Sequence, residues 1–550
     1  MRDERFVDVS SGGVRLELVW PGKDKFLLSP KDESGKPVWV EPDHPAAQEV
    51  RISDFTGSIG EVNADNPYAD NLLFTGDSLD VLRILNEVPE YRREYRGKIK
   101  LIYIDPPFNT GQTFAHYDDW MEHSTWLSFM RDRLLLMRDL LAPDGSIWVH
   151  LDDAEQHRMR CLLDEVFGPG NFIETVVWSR ADVPRSVAKF ISNDQDYVAV
   201  YAKDAARLRF NLLPRDARSN AAYRNPDDDL RGPYRLSPCT ATKPYRLGQY
   251  EVTGPSGRTH LPPNGRYWAI PQSRFEELDS DGRIWWGKDG NAAPMKKTFL
   301  SEVSDLTPRS LWHYEDVGSS RTARYESKKL FGAAAFFATP KPESFIERVL
   351  RIATDPGDIV GDVFGGSGTT AAVAHKMGRR WLTAEVLSDT VTDYTLPRLS
   401  KVVAGEDLGG ITEDIGWVGG GGFRQVAVGP TMYQVTDYGV LLADWATNGR
   451  FARAVAGQLG FDVQSRKYAP FCGARGRMRI CVLDGALGSE EVRQVVDALA
   501  ENERVTIVAK VVLPGAEELL TDLSKGSRVR KAPTDLLTDT ARRRRRGGVS

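Results

Sequence analysis

Cysteine is scarce in this 550-residue chain: Cys161, Cys239, Cys472 and Cys481 stand far apart, without the paired spacing of a zinc site or a disulfide framework. Reduced thiols, no metal centre and a cytoplasmic location are therefore expected. Long apolar runs are missing too, so no segment reads as a membrane span, and the opening Met-Arg-Asp-Glu-Arg leads into no apolar signal segment. Charge of one sign is not in large excess. A net charge of −5 speaks against a protein that coats nucleic acid unselectively, yet leaves room for a local basic cleft. One basic run, Arg542 to Arg546, reads as a solvated tail, with a phosphate-binding arm as the alternative. A nucleotide loop of the Gly-x-x-x-x-Gly-Lys-Ser/Thr kind is lacking, so any ATP-driven step would belong to a partner.

What is present is a globular composition, 41% apolar and 27% charged, over a length that exceeds one ordinary core. The most informative stretch is Leu101-Ile-Tyr-Ile-Asp105-Pro-Pro-Phe108. Four apolar residues read as a buried parallel strand, and two prolines cannot continue its ladder, so the chain turns there. In an open α/β sheet ligands sit at the carboxyl ends of strands, which delivers Asp105 and Phe108 to a crevice. The plainer alternative is a proline turn with a surface aspartate. Downstream, Ser124 is expected to cap a helix with the buried stripe Leu127, Met130, Leu134, Met137 and Leu141. A strand from Ser146 to Leu151, a helix from about 154 to 167 and strands near 172–178 and 197–201 follow, an alternation that predicts a parallel doubly wound sheet.

Three further segments read as strand ends. Asn71 to Thr75 runs into Gly76-Asp77 before a helix, where Asp77 is an ordinary cap or a ligand position. Asp358 to Thr370 is a strand entering the glycine-rich turn Asp362-Val-Phe364-Gly365-Gly366-Ser367-Gly368-Thr369, whose glycines let a ligand approach the backbone. Its spacing is not that of dinucleotide-binding turns. Arg380 to Glu385 is a strand ending in an acid suited to ribose hydroxyls.

Together these parts resemble the β class of DNA amino-methyltransferases, which place the catalytic motif first, a recognition insert second and the cofactor loop last. The resemblance implies methyl transfer from S-adenosylmethionine to an exocyclic base nitrogen. Asp105 and the Pro106 carbonyl would accept the two amine N–H bonds, Pro107 would shape the motif and Phe108 would stack on the flipped base. An aspartate at the first position goes mostly with N6 of adenine in this family, and N4 of cytosine is the alternative. It also implies that Asp77, Lys341 of Thr339-Pro-Lys-Pro, Asp362, Phe364, Gly365, Gly366, Ser367, Gly368, Thr369 and Glu385 serve the cofactor, Glu385 at its ribose. Val363 and Gly361 depart from the usual proline and apolar residue.

The stretches from His123 to Ile173 and from Ile411 to Phe423 resemble the modification (Mod) subunits of Type III restriction-modification systems and their stand-alone relatives. The fold this implies is α/β: a Rossmann-like doubly wound methyltransferase sheet in permuted order, an inserted β-rich target-recognition domain and a small C-terminal α/β appendix. The divisions are 1–65 as a β-rich extension, 66–204 as the catalytic half, 205–330 as the insert, 331–404 as the cofactor half and 405–550 as the appendix. Double-stranded DNA, a second copy of the chain and a helicase-nuclease subunit are the implied partners. A recognition subunit with little methylation of its own is the competing reading.

The insert interleaves basic and aromatic residues, among them Tyr234, Arg235, Tyr245, Arg246, Arg266, Trp268, Arg283, Trp285, Trp286 and Trp312. Most of these aromatics are expected to form its own core, with basic residues left for phosphates. Pro238-Cys239 has the look of a C5-cytosine nucleophile, but it lies far in sequence from both loops and is expected to be dispensable.

Overall fold

The computed structural model describes residues 17–29, 36–42, 44–110, 121–184, 190–332, 336–436, 439–463 and 470–536. The basic run Arg542 to Arg546 and most of the aromatic and polar stretch 114–123, which reads as a flap beside the base pocket, lie outside them. The chain divides into two compact units, a smaller one from Asn211 to Pro308 and a larger one built from both flanks.

The larger unit is organised on a ten-stranded sheet. Its strands in chain order are β1 (Ser53–Gly60), β2 (Asn71–Thr75), β3 (Ile99–Ile104), β4 (Leu141–Leu151), β5 (Phe172–Ser179), β6 (Gln195–Ala202), β7 (Leu311–Trp312), β8 (Ile359–Asp362), β9 (Arg380–Glu385) and β10 (Gly422–Val428). Across the sheet they run β7-β5-β6-β4-β3-β8-β9-β2-β10-β1. From β4 to β10 every neighbouring pair is parallel, whereas β6 and β1 enter antiparallel.

Strand β3 shows why the middle of this sheet forms. Leu101, Ile102, Tyr103 and Ile104 are all buried, so both faces of the strand are covered, as a parallel sheet requires. Alternation sends Ile102 and Ile104 to one face. There they join the apolar stripes of α1 (Ser78–Glu87), α2 (Pro89–Tyr95), α3 (His123–Leu140) and α4 (Gln156–Phe167) in one core. Tyr103 points to the other face, where its ring meets Phe345 of α5 (Glu343–Ala353) at 6.4 Å. That second helical layer continues with α6 (Thr369–Lys376) and α7 (Leu396–Ala404), which pack on one another in turn. The sheet is thus doubly wound, with helical layers on both faces of an α/β architecture.

The structure departs from the sequence reading at several places. Helix α3 is capped by Glu122, whose carboxylate accepts from the amides of Ser124 and Thr125; Ser124 lies inside the first turn. The sheet also draws strands from outside the two expected halves. Gly422–Val428 pairs parallel to β2 over five residues and takes Ser53–Gly60 as an antiparallel edge. Helix Ser320–Phe331 and the strand carrying Trp312 belong to the larger unit, not to the smaller one. Trp312 is fully buried there.

The smaller unit is built from a three-stranded sheet of Ile284–Trp285, Met295–Phe299 and Tyr234–Pro238, with short two-stranded pieces and the helix Gln272–Ser280. Cys239, Trp268, Phe275 and Trp286 form its core. Near the C-terminus a five-stranded sheet carries the helices Ser489–Asp497 and Ala516–Leu523 over a separate core that includes Cys481, Val492, Ile507 and Leu520. Among the described residues no helix is long and apolar enough to cross a membrane.

Phe345 is fully buried among Tyr103, His150, Trp178 and Trp312, and so fastens α5 to four strands. Phe345→Ala should lower stability by about 3–5 kcal/mol, read as a shift of the urea unfolding midpoint; an unchanged midpoint would contradict this packing.

Candidate active site

Strands β3 and β8 are neighbours in the sheet, with Leu101 beside Val360 and Ile102 beside Gly361. After β3 the chain returns through α3 to β4 on one side; after β8 it returns through α6 to β9 on the other. Their carboxyl ends therefore flank the point where the connections diverge, the place where an open α/β sheet forms a ligand crevice. Asp105 follows one strand, and the glycine turn from Phe364 follows the other.

Four neighbouring strands, β3, β8, β9 and β2, each deliver a carboxylate at this edge: Asp105, Asp362, Glu385 and Asp77. Their surroundings differ. The Lys341 ammonium bonds Asp105 through Oδ2. Oδ1 of Asp105 is buried and accepts no hydrogen bond among the described residues. A buried acceptor without a donor costs about 1–3 kcal/mol, so this oxygen is suited to a donor brought by a ligand. Pro107 holds the loop from the other side, its carbonyl accepting from Trp126 Nε1 at 2.9 Å. Asn109 closes the turn in the left-handed region, φ 61°, and donates to Glu155 at 2.7 Å. Phe108 lies nearly parallel to His150, ring centres 5.9 Å apart at 18°, and the Lys341 ammonium stands 5.1 Å from its ring centre.

The glycine turn is fixed by close backbone approach. Gly365 donates to the Ala384 carbonyl at 2.8 Å, and a Cβ on it would stand 2.4 Å from Thr383 Oγ1. Gly366 and Gly368 take positive φ, 48° and 78°, which glycine adopts without strain. Asp362 is buried under the turn and accepts from the Phe364 amide at 3.0 Å. Phe364 leans on Phe129, ring centres 6.1 Å apart. Glu385 accepts from the Gly366 amide at 2.9 Å and the Leu387 amide at 3.0 Å. Asp77 caps α1 through the Leu79 amide and receives Arg133 Nη2 on both oxygens at 2.9 Å. The hydroxyls of Ser367 and Thr369 face inward and meet each other and Arg398.

The family profile described as DNA methylase matches residues 99–394, more than half of the chain, from β3 through the smaller unit to the far side of the glycine turn. The chain belongs to the DNA methylase family. Among curated relatives, the Mod subunit of the Type III restriction-modification enzyme StyLTI from Salmonella typhimurium is 33% identical over 347 residues, 56% of this chain and 50% of that protein. The Type II methyltransferase M.EcaI of Enterobacter cloacae is 31% identical over 379 residues, 67% of this chain and 75% of the relative. The DNA adenine methyltransferase YhdJ of Escherichia coli K12 is 38% identical over 333 residues, 59% and 85% of the two chains. The chain spans about half the length of the Salmonella subunit that it resembles.

Several polar groups around the site escaped the sequence reading. His150 is fully buried, held by the Tyr103 hydroxyl at 2.8 Å and by Asp196 at 3.3 Å, and Asp196 in turn pairs with Arg180 at 2.7 Å. Burial, reinforced by the Lys341 charge, lowers its pKa despite Asp196. Beneath the glycine turn, Arg398, Glu343, Lys376 and Asp407 form a buried ion network. A histidine in an apolar strand and charges spaced along helices give no local signal of such partners.

Asp77, Glu385 and Asp362 titrate differently. Burial works against the charged form of Asp77, but the charge and hydrogen bonds of Arg133 prevail and hold it below the usual range. Burial raises Glu385. Asp362 is pushed up to about 7, first by burial and then by the charges of Asp105 and Glu385. A carboxyl raised in the folded state favours folding most at low pH, and that contribution is lost as pH rises from its ordinary 3.8 through about 7. Asp362→Asn keeps the acceptor for Phe364 without titrating. The unfolding midpoint of the variant relative to the parent should therefore rise across that window and level off above it; a flat difference would contradict the burial of Asp362.

Proposed function

We propose that this DNA methylase transfers a methyl group from S-adenosylmethionine to N6 of adenine in double-stranded DNA, at sites chosen by the unit from Asn211 to Pro308. The observation that carries the reading is the Oδ1 of Asp105 at the end of β3, buried beside the glycine turn and without a donor among the described residues. The residues present suit this cofactor. Carboxylates from neighbouring strands surround a turn that ligands can approach closely, the charge called for by a cationic sulfonium and its ammonium group, and not by a phosphate. Bound there, S-adenosylmethionine supplies an electrophilic methyl group.

The chain's own residues do the rest. The lone pair of an exocyclic amine is delocalised into the base. Asp105 Oδ1 and the Pro106 carbonyl accept its two N–H bonds and draw the nitrogen towards tetrahedral geometry, which returns the lone pair to it. Phe108 offers its ring to the base once it has left the duplex stack. The glycine turn from Gly365 to Gly368 would hold the methionine part of the cofactor, and Glu385 would accept from its ribose hydroxyls with the lone pairs that the Gly366 and Leu387 amides leave. In the smaller unit Trp268 and Trp286 are occupied in the core, whereas Arg235, Arg246, Arg258 and Arg274 are exposed and suited to phosphates. The likeness to a Mod subunit supports a place in a restriction-modification system, with cleavage supplied by a partner.

Incubation with plasmid DNA and S-adenosylmethionine, followed by mass spectrometry of the digested nucleosides, should yield N6-methyladenine. N4-methylcytosine would overturn the base assignment. Asp105→Ala should lose at least about a hundredfold in turnover while still binding S-adenosylhomocysteine; near-normal turnover would sink the catalytic assignment. Burial pushes the Cys239 thiol up to about 11, which suppresses thiolate, and Cys239→Ala should methylate at the parent rate.

A further inference from the structure

Family resemblance groups Lys341 with the cofactor residues; in the structure its ammonium meets the loop that follows β3. Nζ bonds Asp105 Oδ2 and stands over the Phe108 ring, so one side chain touches both groups that would hold the target base. Lys341 is well shielded, with 12% of its side chain exposed against 25% for Asp105. It comes from the segment Thr339-Pro-Lys-Pro, 236 residues further along the chain, and Pro342 next to it is the N-cap of α5. The lysine stem is therefore anchored on the helical layer opposite α3, while Asp105 sits on the sheet.

The two oxygens of Asp105 are consequently distinct. Oδ2 is committed to Lys341, and Oδ1 is buried without a donor among the described residues. A carboxylate on a single-bonded side chain rotates, and an amine held by a rotating acceptor is not held in the attacking geometry. The geometry points to Lys341 as a positioning residue: it clamps Asp105 through Oδ2 so that Oδ1 alone faces the amine of the target base. Its cation also meets the electron-rich face of Phe108, which fixes the ring relative to the carboxylate. The inference rests on the methyl-transfer reading above and adds to it a division of labour within one carboxylate.

Five proteins test it: the parent, Lys341→Met, Lys341→Arg, Asp105→Asn and the double variant Asp105→Asn/Lys341→Met. Lys341→Met should lower kcat about a hundredfold, the loss expected when a reacting group is misplaced. Its KM for DNA, its affinity for S-adenosylhomocysteine by calorimetry and its thermal midpoint should stay near the parent's. Lys341→Arg keeps a cation within reach of Asp105 and should recover most of the rate. In the Asp105→Asn background the lysine change should cost little more, because the two residues act as a unit. A fall in S-adenosylhomocysteine affinity with kcat preserved would make Lys341 a cofactor residue and overturn the inference, as would full additivity with Asp105→Asn. Identifying the methylated base made by the parent keeps the two readings apart. Methylcytosine would overturn the adenine assignment, while the ratio of variant to parent rates would still decide the role of Lys341 at an exocyclic amine.

Discussion

The parallel pairing of β3 with β8 is the constraint on which the site depends. Some 250 residues separate the two loops in the chain, yet backbone hydrogen bonds between Leu101–Ile102 and Val360–Gly361 bring them side by side at one sheet edge. A shift of one residue would turn every side chain of either strand to the opposite layer. The cores prevent it: Ile102 and Ile104 belong with α1 to α4, and Tyr103 with Phe345. Gly361 fits because a Cβ there would meet Ile102 and Ile99 at ordinary distance, 3.6 Å, so its departure from the family's apolar residue disturbs neither strand. The register that buries the core is thus the register that aligns Asp105 with the glycine turn, and fold and site are a single solution.

What was legible in the sequence follows from how local each signal is. A β-branched run stopped by two prolines, and a strand that breaks into glycines, announce strand ends by composition alone, and both lie at one edge of the sheet. The stripe of α3 was equally plain, but its cap was not. Serine is the commoner cap, and only the distance from Glu122 to the amides of Ser124 and Thr125 shows that the longer carboxylate does this work. The edge strands gave less. Ser53–Gly60 is polar and glycine-containing, half exposed even when paired, and its partner Gly422–Val428 lies more than 360 residues away. Nothing local distinguishes such a strand from a loop. The partners of Asp105 and His150 were hidden for the same reason: Lys341 and Asp196 come from other strands or turns, and only folding brings them near.

The acids at the sheet edge show how one arrangement supports several tasks. Parallel strands that end together place side chains of one type a strand apart, about 4.8 Å in general. Left alone, four carboxylates so placed would repel one another and draw protons. Each is instead given its own partner. Arg133 covers Asp77, Lys341 covers one oxygen of Asp105, backbone amides serve Glu385, and burial shifts Asp362 towards its neutral form. Charge is thereby kept where a cation or an amine can use it and suppressed where it would only hold up a turn.

The same economy explains the ion network under the glycine turn. Burying Arg398, Glu343, Lys376 and Asp407 adds little net stability, since desolvation offsets most of the attraction between them. What it adds is geometry. Glu343 opens α5 and binds both Arg398 from α7 and Lys376 from α6, so three helices of one layer share a single carboxylate. Arg398 then reaches the hydroxyl of Thr369, the first residue of α6. The start of α6 is fixed to the same helix whose preceding segment carries Lys341 to Asp105. A displacement of α5 would therefore move the lysine and the start of α6 together, which keeps the ammonium beside Asp105 and the glycine turn that faces it in step.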